Sequence, residues 1–160
     1  MRQRMLRVWL VQFLFRARDR SQGMRGMAFD LRRWLARLLG DRGERLAART
    51  LEKKGYRILA RQCRQRFGEL DLIALDRDCL VFVEVKTRST DRAGRPGEAV
   101  DRPKRGRITR AALAWLKRRN LLEFRSRFDI VAITWREGEA PIVEHFERAF
   151  DAEGPPSLFC

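Results

Sequence analysis

Gly68-Glu69-Leu70-Asp71-Leu72-Ile73-Ala74 and, after a short break, Leu80-Val81-Phe82-Val83-Glu84-Val85-Lys86 decide how this chain folds. Alternate residues of a strand share a face. Glu84 and Lys86 therefore point the same way as Leu80 and Phe82, and Val81, Val83 and Val85 point the other way. Both faces are apolar, so the second stretch is a central strand, where charges are rare without a reason. If Arg77-Asp78 form the connection, Asp76 pairs with Cys79. Leu75 then faces Leu80, Ile73 faces Phe82, Asp71 faces Glu84 and Glu69 faces Lys86. The other face pairs Ala74 with Val81, Leu72 with Val83 and Leu70 with Val85. A slip of one residue would set Asp71 against valine and scramble both faces. This register puts two carboxylates opposite each other, about 5 Å apart at Cβ.

At roughly 4 Å and an effective dielectric near 20, two such charges repel by about 4 kcal/mol. Stability does not call for that arrangement, and a divalent cation reverses its sign. Carboxylates suit Mg²⁺ (or Mn²⁺), which takes one or two of them together with waters and phosphate oxygens. Asp71, Glu84 and the Val85 carbonyl are the candidate ligands. Lys86 stands beside them, able to orient a water or to stabilise charge on a phosphate. The plain alternative is a buried ion-pair network. Glu69 reads equally as a partner of Lys86. Glu44 is a third candidate acid, because Glu44, Ala47, Ala48 and Leu51 fall on one helical stripe. Asp41 and Glu44 are also spaced as a capping box, which would explain Glu44 without chemistry.

Outward from this core the pattern alternates between periods. Leu31, Trp34, Leu35 and Leu38 form a helical pattern that Gly40 should end, and a second helix is expected from Asp41 to Lys54, stopping at Gly55. Strands are expected at Tyr56–Arg64, Glu69–Asp76 and Leu80–Thr87. A loop rich in Gly, Pro and charge covers 89–103, and a basic helix with Ile108, Ala111, Ala112, Trp115 and Leu116 on its apolar side follows. Arg127–Trp135 and Pro141–Phe146 complete the strands. The expectation is an α/β domain, a mixed β-sheet flanked by helices, over 41–150, with a basic helical extension at 1–40 and a loose tail at 151–160.

Composition narrows the functional classes. Of 160 residues, 36 are Lys or Arg and 21 Asp or Glu, a formal net charge of +15. Such an excess favours a polyanion, nucleic acid first and an anionic membrane second, although a composition bias toward arginine would also raise it. Three scattered cysteines, with no C-x-x-C, indicate neither a zinc ribbon nor a disulfide framework, and reduced thiols in the cytoplasm are expected. His145 is the only histidine, which excludes a histidine-rich metal site, a zinc finger and an HNH-type nuclease; it reads as an ordinary, partly exposed residue. No glycine-rich nucleotide loop is present. Met5–Phe15 is apolar but too short to span a bilayer. It resembles a signal peptide without a cleavage site. Membrane contact by residues 1–20 and a true start at Met24 or Met27 are equally good accounts.

An acid on one strand and E-x-K on the next resembles the core of the PD-(D/E)xK, restriction-endonuclease-like nucleases, and an upstream helical Glu resembles the archaeal Holliday junction resolvases. The series G-E-R-L-A (43–47), G-Y-R-I-L (55–59), R-F-G-E-L-D-L-I-A (66–74), L-V-F-V-E-V-K-T-R (80–88), Val100 to Lys104 and R-F-D-I-V (127–131) resembles the YraN family of small bacterial proteins. The resemblance covers about 41–150. It implies a restriction-endonuclease-like fold, with Glu44, Asp71, Glu84 and Lys86 at the nuclease positions and Leu70 where the strict motif has proline. The implied activity is Mg²⁺-dependent endonucleolytic hydrolysis of nucleic acid, DNA before RNA, on branched or damaged substrates. The other reading is a non-catalytic nucleic-acid binder of the same fold acting in repair or recombination. A homodimer would suit junction cutting, which needs two active sites, but no dimer surface is legible.

The polyanion would lie along 102–119, which holds Arg102, Lys104, Arg105, Arg107, Arg110, Lys117, Arg118 and Arg119 and no acid. Lys104, Arg107 and Arg110, with Arg88 beside the E-x-K strand and Arg92 and Arg95 after it, are the candidate phosphate contacts. A merely solvated face is the alternative. Asp129, on a face with Val131 and Ile133, receives no assignment.

Overall fold

The computed structural model describes residues 31–88 and 100–153. Its elements are α1 (Leu31–Lys53), β1 (Arg57–Gln65), β2 (Gly68–Asp76), β3 (Cys79–Arg88), α2 (Arg102–Lys117), β4 (Ser126–Thr134) and β5 (Ile142–Phe150). The strands form one sheet in the order β1-β2-β3-β4-β5. All neighbours are antiparallel except β3 and β4, which run parallel. A parallel pair needs a crossover, and α2 supplies it. This is the α/β arrangement of a restriction-endonuclease-like core, a mixed sheet with a helix on each face.

Each face of β3 buries what its alternation predicts. Val81 and Val83 join Leu72, Ala74, Val131 and Ile133 under Ala47, Ala48 and Leu51 of α1. Leu80 and Phe82 join Ile73, Phe128 and Ile130 under Ile108, Ala112, Trp115 and Leu116 of α2. Phe82 meets Trp115 edge-on, with ring centroids 5.8 Å apart. Fully burying a side chain of this size contributes about 1.5–3 kcal/mol, and two such layers hold β3 in place.

The β2–β3 hairpin has the expected loop and register: Asp76 pairs with Cys79, Leu75 with Leu80, Ile73 with Phe82, Ala74 with Val81 and Leu72 with Val83. Arg77, at φ +53°, takes the left-handed conformation that the first position of a two-residue loop demands. The ladder then ends. The expected pairs Asp71–Glu84, Leu70–Val85 and Glu69–Lys86 are not formed, although β2 stays paired with β1 to its first residue and β3 with β4 to its last. The sheet thus parts into two halves where the two acids would have met.

Two other boundaries differ from the sequence reading. One helix runs unbroken through Gly40, in place of two that meet there. A glycine inside a helix costs only about 1 kcal/mol relative to alanine, too little to stop a helix whose stripe of Ala47, Ala48 and Leu51 is fully packed. Asp41 is therefore an interior residue and cannot cap this helix. The last strand continues to Phe150, past a register shift between Phe128 and Ile130, with Arg148 at φ +50°. Expectations for residues 1–30, for Arg92 and Arg95, and for the tail after 153 fall outside the described residues. Among the described residues no helix is long and apolar enough to cross a membrane.

Candidate active site

The parting of β2 from β3 makes a notch, and Asp71, Glu84, Val85 and Lys86 stand at it. Asp71 sits on β2 at the branch point. Its Oδ2 accepts the Val85 N–H at 2.8 Å, the proton a continuing ladder would have given to the Leu70 carbonyl. The N–H and C=O of one strand residue point to the same edge, so the Val85 carbonyl is also directed at the notch. Two carboxylates pressed into a ladder would repel; here one has become a backbone acceptor and the strands have separated.

Glu84 lies on the α2 face of β3 and is only 7% exposed. Its Oε1 receives the Lys86 Nζ at 3.1 Å and also, closely, the Lys104 Nζ. The position of Lys104 is fixed by the start of α2. Asp101 is the N-cap, with an extended backbone, and its Oδ1 accepts the Lys104 N–H at 2.8 Å. Pro103 occupies the first turn, where its missing N–H is harmless. The first turn of α2 therefore lowers Lys104 onto Glu84. Sequence reading put this lysine on the phosphate-binding surface; the structure puts its ammonium inside the notch. The clue was available, since Lys104 stands four residues before Ile108 and seven before Ala111, on the buried stripe.

Glu44 approaches from the other face. Gly43 makes this possible: a Cβ there would sit 2.3 Å from the Thr87 Cγ2, so α1 rests directly on β3 one residue beyond Lys86. Glu44 Oε2 is buried and has no hydrogen-bond partner. With Asp41 inside the helix, the capping box does not account for Glu44. Gln62, on β1 at φ +48°, donates from its side-chain amide to Asp41; nothing in the sequence singled it out. Glu69 pairs with Arg64 at 3.8 Å across the exposed hairpin, not with Lys86.

The electrostatics agree with this geometry. Burial, then the nearby Glu84 charge, pushes Asp71 up to about 7, against the pull of the Val85 N–H. The Glu44 charge adds to that push, so the three acids share one field. Burial also raises Glu44, opposed by the Gln62 hydrogen bond. Lys86 is lowered, by burial and then by the adjacent Lys104. Burial lowers Lys104 too, but its hydrogen bonds to Glu84 and Lys86 outweigh that and raise it. Among the described residues no three His, Cys, Asp or Glu side chains form a ready-made metal cage. Asp71, Glu84 and the Val85 carbonyl are the oxygen groups at the branch that could hold Mg²⁺, an ion that keeps several waters and is usually held by one or two carboxylates.

Basic residues line α2 and the end of β3. Arg107, Arg110, Lys117 and Arg118 are exposed along α2, and Arg88 is half-buried at the end of β3. Arg118 donates to the Gln65 side chain at 2.8 Å, tying the end of α2 to the β1–β2 hairpin. The tip of that hairpin exposes Phe67, 43% accessible, with the Arg66 guanidinium 5.7 Å from its ring centre. In the middle of β4, beside Val83 of β3, Asp129 is fully buried. It accepts from Arg127 Nε, from His145 Nε2 and from the Arg148 N–H, each at 3.0 Å. His145 is a partly exposed residue whose side chain is only 1% accessible and part of this structural network.

Residues 43–133 match the model of the uncharacterised protein family UPF0102. A UPF0102 protein of Rhodopirellula baltica is 50% identical over 125 residues, covering 76% of this chain and 75% of the relative. One from Geobacter sulfurreducens is 50% identical over 115 residues, covering 72% and 90%. One from Anaeromyxobacter dehalogenans is 48% identical over 118 residues, covering 74% and 87%. The matched segment holds Glu44, Asp71, Glu84, Lys86 and Lys104 together, and on that footing the chain belongs to UPF0102, the family also called YraN.

Proposed function

We propose that this protein is a Mg²⁺-dependent endonuclease acting on DNA with branched or unpaired segments. The observation that carries the reading is the notch itself: β2 and β3 separate where Asp71, Glu84 and Lys86 meet, and a buried Glu44 oxygen without a partner is turned into the same field. A buried acceptor normally finds a donor, and an orphan calls for an explanation. A cation held by Asp71 and Glu84 in that field supplies one, and offsets the Glu84 charge that, after burial, lifts Asp71.

When bound, Mg²⁺ supplies a polarised water and neutralises charge gathering on the phosphate. The protein does the rest. Asp71 and Glu84 hold the acidic pole, and Asp71 fixes its own orientation through the Val85 N–H. Lys86 offers an ammonium within reach of a water or a phosphate oxygen. Arg107 and Arg110 contact the sugar–phosphate backbone without reading bases. Phe67, at the tip of a basic hairpin, offers a stacking surface to an unpaired base.

Pairing of Glu84 with both lysines favours a second reading, a domain that binds DNA without cutting it. One experiment separates the two. The wild-type protein and Lys86→Ala are incubated with linear, flapped and four-way DNA, with Mg²⁺ or with EDTA. The nuclease reading expects Mg²⁺-dependent cleavage that falls roughly 10²–10³-fold in Lys86→Ala, the usual effect of removing one stabilising donor. Binding to every substrate with no cleavage of any would establish the binder instead.

A further inference from the structure

Two ammonium groups share one carboxylate oxygen in the notch. Lys86 and Lys104 both reach Glu84 Oε1. Lys86 comes from the same strand as Glu84, and its place is set by the strand. Lys104 comes from another element, on a four-carbon stem, and its side chain is 32% exposed. Its neighbour one turn on, Arg107, faces solvent. The stem joins two places: the buried Glu84 oxygen and the arginine-lined surface where a phosphate would lie.

Resting on the nuclease reading above, we propose that Lys104 is a resident counter-ion that holds Glu84 until a divalent metal takes its place, and that the displaced ammonium then binds the DNA backbone beside Arg107. A divalent ion held by the Glu84 carboxylate would repel the Lys104 ammonium that now rests on Oε1. Lys104 and the metal therefore compete for Glu84, and a phosphate that draws Lys104 outward eases metal entry. Such linkage is reciprocal, so metal binding strengthens phosphate binding by the same factor. Lys104 is on this account a positioning residue that ties metal loading to the presence of substrate and partly offsets the Glu84 charge when no metal is there.

The test compares Mn²⁺ affinity by calorimetry for the wild-type protein, Lys104→Met and Lys53→Ala. Methionine keeps the stem and removes the charge. Lys53, exposed in the last turn of α1, controls for the loss of one positive charge. Lys104→Met is expected to bind Mn²⁺ at least about fivefold more tightly, the lower end of coupling between linked sites, with Lys53→Ala close to wild type. A second readout needs no variant. Acylation of Lys104, followed by mass spectrometry on the wild-type chain, should rise severalfold when Mn²⁺ is added. Equal or weaker Mn²⁺ binding by Lys104→Met, or acylation unchanged by Mn²⁺, overturns the role of Lys104 and leaves the nuclease reading standing. Absence of Mn²⁺ binding in both the wild-type protein and Lys104→Met overturns both.

Discussion

Replacing Asp71 by Asn should remove metal binding and yet make the metal-free protein more stable. Asp71 is lifted from 3.8 to about 7 by burial and by the Glu84 charge. At 1.36 kcal/mol per unit, keeping it ionised costs the fold as much as about 4 kcal/mol. Water entering the notch and adjustment of the two lysines return part of this, so a gain of about 2 kcal/mol is expected from a residue that carries no charge. Asn retains an oxygen for the Val85 N–H, so the branch of the sheet keeps its tie. The sign follows from linkage. A carboxyl whose folded pKa lies above its unfolded value binds its proton more tightly when folded, so wild-type stability is highest below the unfolded value and declines as pH rises through about 7. The advantage of Asp71→Asn is therefore nil near pH 4, grows through the window and is complete above pH 7. Thermal unfolding in EDTA should show Tm higher by roughly 4–8 °C at pH 8 for a chain of this size, with the two curves converging at pH 4. A variant that melts below wild type at pH 8, or a difference that does not depend on pH, would refute the placement of Asp71 as a buried acid in the field of Glu84.

Other outcomes follow from the same geometry. Gly43→Ala drives a methyl into Thr87 and should lower unfolding stability by about 1–3 kcal/mol; adding Thr87→Ser, which removes the struck Cγ2, should restore most of it in the same melt. Asp129→Ala strips Arg127 and His145 of a fully buried partner and should cost about 3–5 kcal/mol in urea titration. Arg107→Ala with Arg110→Ala should flatten the dependence of DNA affinity on salt by about 1 per lost phosphate contact, and an unchanged slope would dismiss α2 as the backbone contact. Phe67→Ala should weaken binding to flapped DNA by about 1–3 kcal/mol while leaving blunt duplex binding as it was, measured by fluorescence anisotropy.

Alternation along β2 and β3 was enough to read their register, because any slip would have buried Asp71 against valine. It could not reveal where the ladder ends, since the end depends on Asp71 lending its side chain to the Val85 N–H, an option invisible in a pattern of apolar and polar residues. Gly40 was misread for a related reason: a glycine marks a helix end only when nothing downstream rewards continuing, and the buried stripe of α1 does. Lys104 was legible in principle, at the foot of the α2 stripe, but its charge argued for the surface more loudly than its spacing argued for the interior. His145 and Asp129 were opaque, because their partnership joins β4 to an edge strand whose register is reset beside Arg148. Assembly of Asp71, Glu84 and Lys86 in one place needed only the strands; the closeness of Glu44 needed the contact at Gly43 as well.

The two ends of this sheet have opposite electrical temperaments. At one end the Arg127 guanidinium is ringed by Asp76, Tyr56, Asp129 and Glu147, each of its three nitrogens holding a hydrogen bond. At the other end both lysines rest on Glu84, and Asp71 is left buried in the field of two other carboxylates. A fold this small tolerates a strained pole because a settled one anchors the opposite rim, holding β2, β4 and β5 together from below while the upper rim is left ajar. Selection for firmness and selection for chemistry can then act on separate residues of the same five strands, and changes that harden the lower rim should leave the upper one free to vary in what it grips.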